Sequence, residues 1–388
     1  MPRADRNHGK RRKGNLFLAR ALVLAAVVAG ASPARADEWT AWTGLHLDAW
    51  SGAGQDGRQI LVPLALYFDA PFWGVNVRGA VGTSERDPGG GRQSGEISGF
   101  TDTTVSGYYR FVISDVEIRA GLNLDLPSGV TRFKTRDLAA IQDEDLALLE
   151  RFGEGFDVNP TISAYRNFGR FGIGGGVGYL WTGEYNPTKD IPGDDIDPGD
   201  ELTVTLLGDV YLAEATRLVG TVSYTMFSAD QLGGRDSFHE GDELDIRMSL
   251  EWRPEPWWVV VSFRDIVRFK AERIDASGRL QTEPSNSRGN DIRGSVVVGY
   301  IIDDAWTIQG AVEVKHVFAN DYPESNVLFD GGRTKVAIGP TVTWLPHRRF
   351  GIETGLRYFF MDVERSPFFP RAGTINGVHA DLRVMYRF

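Results

Sequence analysis

The chain has 388 residues with 46 Gly and no Cys, which excludes disulfide scaffolds, thiolate metal sites and cysteine nucleophiles. Eight Lys or Arg and one Asp fall in residues 1–36, so the formal net charge of −10 becomes −17 for the remaining chain; this argues against nucleic acid as a partner. Mean hydropathy is −0.24, and no apolar run reaches the roughly 18 residues of a transmembrane helix, which excludes a helical multi-span membrane protein.

Residues 1–36 have the three parts of a secretory signal peptide. A basic head in residues 1–15 is followed by an apolar stretch from Ala21 to Ala31 and by Ala34-Arg35-Ala36. The apolar stretch is too short to cross a bilayer. The general secretory route is favoured over the twin-arginine route, because residues 13–17 match poorly the pattern that follows the arginine pair in twin-arginine signals. We therefore expect 1–36 to be removed and 37–388 to form one domain.

From Trp39 onward the chain alternates apolar and polar residues with period two. In residues 243–253 every even position is apolar and almost every odd position is charged. Residues 116–126 and 378–388 show the same alternation. This period predicts β-strands that have one apolar and one polar face.

The connections between the alternating segments are of two kinds. Seven are tight turns and eight are longer polar loops, which together predict sixteen strands. The turns are expected around Ala70-Pro71, Ser114-Asp115, Phe168-Gly169, Ala213-Thr216, Pro254-Pro256, Asp303-Asp304 and Pro346-Arg349, and the loops near 51–57, 85–97, 127–155, 186–200, 229–241, 275–290, 320–332 and 365–376. Short turns on one side and long loops on the other are typical of a bacterial outer-membrane barrel. The predicted fold is all-β, an antiparallel up-and-down transmembrane barrel of about sixteen strands.

Two observations favour this barrel over a soluble β-sandwich, which also alternates. The first is that eight of the ten Trp lie at the tight-turn ends, as in an aromatic girdle at a membrane interface: Trp39, Trp42, Trp73, Trp252, Trp257, Trp258, Trp306 and Trp344. The second is that the chain ends at Phe388 in an alternating strand, with Tyr386 two residues before. Outer-membrane barrel proteins share that ending, so Tyr386 and Phe388 are the predicted assembly signal. Expected partners are the barrel-assembly machinery, outer-membrane lipid and lipopolysaccharide.

If the apolar residues of each alternating strand face lipid, the polar residues between them line the interior of the barrel. It carries charges of both signs, and the lumen-lining residues we single out are Arg247, Arg264, Arg268 and Arg293. Two interpretations stay open: cross-strand pairs that stiffen the wall, or charges that orient a solute in a hydrated pore. Gly172, Gly174, Gly176 and Gly178 also point inward, which indicates either strand curvature or close packing of another segment against the wall, for which the loop 127–155 is the candidate.

The longest loop, 127–155, is the candidate for a constriction. Its segment Thr135 to Phe152 predicts a helix with Leu138, Ile141, Leu146 and Leu149 on the apolar side. That side needs a protein surface to cover it, either the inside of the barrel or its rim. An inward helix would place an acidic constriction opposite Arg264, Arg268 and Arg293; sixteen-stranded general porins resemble this in their third loop. The pore-constriction residues are then Asp137, Asp143, Glu144, Asp145 and Glu150.

The stretch from Phe100 to Leu212 resembles a family of outer-membrane transporters encoded with phenol meta-cleavage pathways. The matching segments are Thr101-Asp102-Thr103-Thr104, Gly121 to Gly129, Gly153 to Asp157 and Pro198-Gly199-Asp200. That family is similar to long-chain fatty-acid transporters, and the resemblance implies uptake of hydrophobic or aromatic compounds. Those transporters carry an N-terminal hatch inside the barrel, whereas here the first strand begins close to the expected cleavage site.

The main functional prediction is a passive, porin-like outer-membrane channel for small solutes, narrowed by residues 127–155. Two alternatives stay open: uptake of hydrophobic or aromatic compounds, and a non-catalytic barrel component in secretion or surface-polysaccharide export. The sequence has no G-x-S-x-G elbow, and we expect no enzyme, no metal and no cofactor. A homo-oligomer through the run Trp257 to Val261 is a further possibility.

Overall fold

The computed structural model describes residues 38–191, 193 and 195–388, so the predicted signal peptide 1–36 lies outside the described residues. Within that part of the chain sixteen antiparallel strands close into a barrel, which confirms the predicted fold class. The strands are β1 (Glu38–Gly52), β2 (Gln55–Asp69), β3 (Trp73–Asp87), β4 (Gly95–Phe100 continued by Thr103–Ile113), β5 (Val116–Leu126), β6 (Asp157–Asn167), β7 (Phe171–Leu180), β8 (Glu201–Ala213), β9 (Thr216–Phe227), β10 (Glu243–Trp252), β11 (Trp257–Arg268), β12 (Asp291–Ile301), β13 (Trp306–Val317), β14 (Arg333–His347), β15 (Phe350–Val363) and β16 (Gly373–Arg387).

Each strand pairs with its neighbours in the sequence, and β1 pairs with β16 to close the barrel. That closing register runs from Thr40 opposite Arg387 to Gly52 opposite Ile375. The seven predicted tight turns all lie between the described strands where the sequence placed them. The predicted loop 51–57 is wrong, because β1 and β2 extend through it and are joined by Ala53-Gly54 alone. Both of these residues have positive φ, 49° and 76°, which lets a two-residue turn follow the twist of the strands.

The outer face of the barrel is apolar and ends in an aromatic ring. Trp39, Trp73, Trp252, Trp257 and Trp306 are exposed on it near the short turns, as expected for rings at a membrane interface. The prediction is wrong for two others. Trp42 faces the lumen beneath the guanidinium of Arg383, 4.8 Å away, and Trp258 turns inward over Gly299. Each occupies an inward-facing position in the alternation of its strand. The prediction considered only that these residues lie near a turn, and it was therefore wrong for them.

The chain ends on this outer face. The backbone N–H of Phe388 donates to the carbonyl of Trp39 at 2.9 Å, which continues the seam between β16 and β1. The rings of Tyr386 and Phe388 lie 5.0 Å apart edge to face, and Phe388 is 63% exposed. Both aromatic side chains therefore project outward at the end of the barrel that holds the short turns.

A β-bulge interrupts β4 and reverses which residues point inward. Phe100 pairs with Val81 and Thr104 pairs with Arg78, so three residues of β4 lie opposite two of β3. The hydroxyl oxygen of Thr101 accepts the N–H of Ala80 at 2.8 Å and keeps the two strands joined there. A bulge of this kind re-aims a side chain, and here the middle one of its three residues is Asp102.

The loop 127–155, called the crossing loop below, lies inside the barrel. Its apolar residues pack against the inner wall in two clusters, so the predicted inward burial is confirmed over the alternative on the rim. The predicted helix over Thr135 to Phe152 is wrong. Only Thr135–Ala140 is helical, as a 3-10 helix, and the chain beyond it runs in turns. Contacts with different strands draw the two halves of this segment apart and override helix propensity.

Three other long loops form a second antiparallel sheet at the same end of the barrel. Its strands among the described residues are Ile196–Asp197, Ala229–Leu232, Arg235–His239, Glu272–Ile274 and Leu280–Thr282. The sheet extends the wall from β7 to β12 beyond the barrel. Among the described residues, none of the helical segments has the length and apolar character to cross a membrane.

Candidate functional site: the crossing loop and the wall that holds it

The two ends of the crossing loop are fastened to the wall by one carboxylate. Asp102, which the bulge in β4 turns inward, accepts the N–H of Gly129 at 2.9 Å and the N–H of Glu154 at 2.7 Å. Its own N–H donates to the carbonyl of Phe152 at 2.8 Å. Because one side chain binds both the outgoing and the returning strand of the loop, it fixes the neck of the loop against β4.

The tip of the loop is held by cations on the opposite wall. Asp145 is buried between Lys315 of β13, at 2.5 Å, and Arg333 of β14, at 2.7 Å. Lys335 of β14 donates to the carbonyl of Asp145 at 2.5 Å. Burial raises the pKa of a carboxyl group, but the charges of Lys315 and Arg333 outweigh it and hold the pKa of Asp145 well below its ordinary value.

Polar side chains of β1 and β2 bind the returning half of the loop. Asp48 accepts the N–H of Leu148 at 2.8 Å. The amide of Gln59 makes two hydrogen bonds to the backbone of Leu149, one to its N–H at 3.0 Å and one to its carbonyl at 2.8 Å. Trp50 donates its indole N–H to Gln142 at 3.2 Å. Buried polar backbone of an irregular segment needs such partners, and β1 and β2 supply them.

A chain of titratable side chains runs behind this contact. Asp48 accepts from His46 at 2.9 Å and from His379 at 2.5 Å. His46 is also bonded to Asp381 at 2.6 Å, and Lys335 contacts the other nitrogen of His379 at 3.0 Å. The same Asp48 and Lys335 bind the loop backbone, so the chain connects the β14–β16–β1 seam to the tip of the loop.

Apolar packing completes the attachment. Leu146 is fully buried among Trp50, Phe359, Met361 and Ile375 of β1, β15 and β16. A second cluster lies against β2 and β4 near the neck, and it consists of Leu61, Ile97, Phe133, Ala140 and Phe152 with the partly buried Leu138, Ile141 and Leu149. Burial of a Leu or Phe side chain contributes about 1.5–3 kcal/mol. The loop is therefore a packed part of the barrel interior.

The predicted constriction acids occupy different environments. Asp143 and Asp145 are buried against Arg333, and Glu144 bonds to Lys315 at 2.9 Å. Asp137 lies in the 3-10 helix beside Arg136, at 3.2 Å. Glu150 is half-buried, and its carbonyl accepts the N–H of Gln142. The carboxylates of Asp143, Glu144 and Asp145 are thus engaged by the wall, which the sequence did not indicate.

Three of the predicted lumen arginines lie next to one another across neighbouring strands. Arg247 of β10 is opposite Arg264 of β11, and Arg264 is opposite Arg293 of β12. The row continues to Lys315 and Lys335. Like charges directly opposite each other are destabilising, so acids must intervene. One of them is Asp245, which lies two residues from Arg247 toward the loop end of β10. Its carboxylate accepts hydrogen bonds from Arg247 and Arg264 at 2.8 Å each.

The prediction that the acidic residues of the loop lie opposite Arg264, Arg268 and Arg293 is only partly correct. Arg268 lies nearer the loop end than the row, where it bonds to Glu243 at 3.0 Å and approaches Asp291 at 3.5 Å. The loop acids contact Lys315 and Arg333, one and two strands beyond Arg293. Sequence reasoning gave no role in holding the loop to Asp48, Asp102 or Arg333. For Asp48 and Arg333 the alternation of their strands was an available signal, whereas the inward position of Asp102 depends on the bulge, and only the path of the loop shows which inward residues it meets.

The inward glycines of β7 are covered by neighbouring side chains. Tyr165 of β6 reaches across Gly172 and donates to Asp209 of β8 at 2.7 Å; a methyl group on Gly172 would overlap the Tyr165 hydroxyl. Next to them, β8 and β9 carry a hydroxyl ladder in which Thr203 bonds to Thr225 and Thr205 to Ser223. These glycines are closely packed, but the packing group is Tyr165 of the neighbouring strand and not the loop 127–155 that the sequence suggested.

No protein-family model matches the chain, and no curated protein matches it. Solved structures with a related architecture are outer-membrane proteins. OccAB4 of Acinetobacter baumannii is 9% identical with a TM-score of 0.45, and the match covers 92% of this chain and 99% of that one. OprD of Pseudomonas aeruginosa is 8% identical with a TM-score of 0.44, covering 91% and 93%. A TodX mutant monoaromatic hydrocarbon channel is 12% identical with a TM-score of 0.45, covering 94% of each chain. At these scores the likeness adds nothing about the solute.

The molecule itself defines its class. A closed antiparallel barrel, an apolar exterior with a tryptophan ring and a charged interior are the features of a membrane-spanning β-barrel of the bacterial outer-membrane type. The crossing loop is held from β4 to β14 inside that barrel.

Proposed function

We propose that the protein is a passive outer-membrane channel for small hydrophilic solutes, narrowed by the crossing loop. The observation that carries the proposal is the path of the loop. It leaves the wall between β5 and β6, reaches β13 and β14 on the far side and packs on β15, β16 and β1 to β3. The segment after β7 also joins the crossing loop, through a bridge between Phe133 and Thr188. The sector from β8 to β12 is then left as the passage.

The lining of that sector supports hydrophilic solutes. It carries the hydroxyl ladder of β8 and β9, the ion pair of Asp209 with Arg217 at 3.1 Å, and the arginine row. Polar side chains and fixed charges replace part of the hydration of a passing solute. Selectivity then comes from the bore and from charges on the wall, without a cofactor or a chemical step.

The test is the single-channel conductance of the refolded mature chain in a planar bilayer, beside a variant that lacks residues 135–152. We expect steady conductance that increases severalfold on deletion, because the loop occupies about half of the circumference. Deletion of Ser277-Gly278, at an exposed loop tip, is the matched control and should leave the conductance unchanged. Absence of conductance in the intact and deleted forms would rule out a hydrated channel.

Uptake of hydrophobic compounds is the second candidate, and one observation favours it. An apolar groove of about 590 Å³ crosses β16 and β1 to β4 beside the bulge, between Leu64, Leu66, Phe100 and Tyr386. Such a groove on the lipid side suits an apolar molecule. The resemblance of residues 100–212 to transporters encoded with phenol meta-cleavage pathways agrees with it. Transfer of toluene into proteoliposomes by a protein that conducts no ions would favour this function over the channel.

The remaining expectations are proposals about assembly. Insertion into the outer membrane would place the tryptophan ring on the periplasmic side, with lipopolysaccharide around the long loops. Tyr386 and Phe388 would be the residues recognised by the assembly machinery, and their outward exposure supports this. Removal of Phe388 should then lower the amount of barrel in the outer membrane while leaving refolding in detergent unaffected. Export assemblies and homo-oligomers would be detected by co-purification in native detergent extracts.

A further inference from the structure

A polar patch lies on the inner wall below the neck of the crossing loop. β3 runs from the short-turn end at Trp73 to the loop end at Asp87, and the loop binds its upper part at Ser84. Asn76 and Arg78 point inward from its lower part. They pair with Ser106 and Thr104 of β4, so the patch begins on two adjacent strands at the same height.

The register extends the patch over two more strands. Thr104 pairs with Asp125 of β5, and Asp125 pairs with Asp157 of β6. Two residues closer to the short turns, Ser106 pairs with Asn123, and Asn123 pairs with Asn159. All of these residues are on the inward parity. The patch therefore has a cationic end at Arg78 and an acidic end at Asp125 and Asp157.

Several polar groups of this patch have no protein partner. Asn76 Oδ1, Arg78 Nε, Ser106 Oγ and Asn159 Oδ1 are buried without a hydrogen bond among the described residues. Asn76 and Ser106 are only 9% and 6% exposed. A buried polar atom without a hydrogen-bond partner destabilises the fold. Four such atoms on two adjacent rows indicate groups placed to bind something other than the protein.

The two ends of the patch differ in chemistry. At the β3–β4 end, Arg78 Nε and the hydroxyl of Ser106 are donors, and the amide of Asn76 offers a donor in its flipped orientation. At the β5–β6 end, Asp125 and Asn159 Oδ1 are acceptors. Asp125 lies directly opposite Asp157, which is buried. Like charges in that position repel, so a positive group there would relieve the repulsion.

The spacing keeps the two ends separate. Arg78 and Asp125 flank Thr104, so their backbones are two strand spacings or about 10 Å apart. The Thr104 hydroxyl donates to Asp125 at 2.6 Å, and no ion pair joins Arg78 to Asp125 in the described part of the chain. A small molecule that carries one negative and one positive group can bridge this distance.

From this arrangement we infer that the patch is a binding site for small zwitterions of the amino-acid class. The carboxylate binds Arg78 and Ser106, and the ammonium group binds Asp125 and Asn159. The inference rests on the proposed channel function and names its solute class. A molecule that has passed the crossing loop reaches this patch on the wall below the neck.

The test uses three matched molecules on the intact refolded channel: L-alanine, propionate and propylammonium, each added to the potassium chloride bath. We expect L-alanine to reduce the single-channel current saturably, and the other two to reduce it far less. Arg78→Gln and Asp125→Asn should each raise the half-blocking concentration of L-alanine about tenfold or more, since each removes a charged hydrogen-bonding partner.

The controls are Arg383→Gln and Glu353→Gln, which make the same charge changes at a half-exposed pair on β16 and β15. Both should leave block by L-alanine unchanged. Equal block by propionate or by propylammonium would overturn the site as one for zwitterions. An open channel with no block by any of the three would overturn the site while the channel function stands. Loss of potassium chloride conductance in the wild type would instead contradict the channel itself.

Discussion

Two sides of the same inner wall are built differently. From β13 through β16 to β3 the inner wall binds the crossing loop through Lys315, Arg333 and a buried cluster around Phe359. From β6 to β9 inward side chains bond to other strands of the wall, as Thr205 does to Ser223 and Tyr165 to Asp209. The two sides therefore differ in what their inward side chains bind: the loop on one side, and other strands of the barrel on the other.

Strand length also differs between the place where the loop leaves the wall and the place where it is held. Strands β1 to β3 have 15 residues each and β14 has 15, whereas β5 and β6, which flank the loop, have 11. Four residues correspond to about 14 Å along a strand. The loop therefore leaves between two short strands and is held by longer strands across the barrel.

The largest expected effect comes from removing the charge at the tip of the loop. Asp145→Ala leaves Lys315 and Arg333 buried without their shared carboxylate, and breaking a buried pair in this way costs about 3–5 kcal/mol. We expect the tip to detach, so that the channel current becomes unsteady and trypsin cleaves at Arg151 within the loop. Both are measured on the refolded protein, by planar-bilayer recording and by timed proteolysis.

Glu144→Gln is the matched control for that variant. Glu144 shares Lys315 with Asp145, but its side chain is 22% exposed against 3% for Asp145, so water compensates for more of its charge and its loss should cost less. Cleavage at Arg151 should remain slow. Equal release by both substitutions would show that total charge on the loop, and not the buried position of Asp145, holds it in place.

A smaller effect is expected from the apolar contact on the same wall. Leu146→Ala empties a fully buried position next to Phe359 and Met361, which costs about 2–5 kcal/mol. The midpoint of urea unfolding in detergent should fall, and trypsin should cleave the loop faster. Leu148→Ala is the control, since Leu148 is 58% exposed and its loss should change neither value measurably.

On the opposite side the corresponding change is Gly172→Ala. Its methyl group would lie 1.9 Å from the Tyr165 hydroxyl, so Tyr165 must leave Asp209, at a cost of about 1–3 kcal/mol. We expect altered conductance with the loop still resistant to trypsin. Gly208→Ala on the next strand has no atom nearer than 3.8 Å and should behave as wild type. Loop release by Gly172→Ala would contradict the separation of the two sides.

Much of the barrel was predictable from the sequence because period two acts locally. The alternation in residues 243–253 fixes which side chains face lipid, and the tight turns fix the strand order. The bulge in β4 was not predictable, since it depends on how Thr101 and Asp102 meet β3 and the loop neck. The inward placement of Trp42 and Trp258 was predictable from the alternation of their strands, and it was missed because their distance from a turn was used instead.

The crossing loop shows where local sequence patterns no longer predict the structure. Leu138, Ile141, Leu146 and Leu149 have helical spacing, and all four are at least partly buried. Yet Leu146 packs against β1, β15 and β16, whereas Leu138 packs near β2 and β4. No single helix face could reach both clusters. The acidic residues were assigned to the pore because sequence reveals their charge but not that Lys315 and Arg333 would bind it.

The smallest expected effect is the effect of pH on the attachment of the loop. It distinguishes the contacts by which β13 to β16 and β1 to β3 hold the loop. Because the pKa of Asp145 is held well below its ordinary value, the stabilisation it provides is fully present above the unfolded pKa of about 3.9. That stabilisation is lost only when the pH falls below this value toward the folded pKa. Resistance of the loop to proteolysis should therefore be the same at pH 7 and pH 5, measured with a protease active at both.

Release between pH 7 and pH 5 would point to a different group. Two further carboxylates bind the loop backbone: Asp48, which accepts the N–H of Leu148, and Asp102, which accepts the N–H groups of Gly129 and Glu154 at the neck. If the neck is responsible, Asp102→Asn should leave the loop equally open to the protease at both pH values, whereas Asp48→Asn should keep the pH response. The reverse result would assign the response to Asp48.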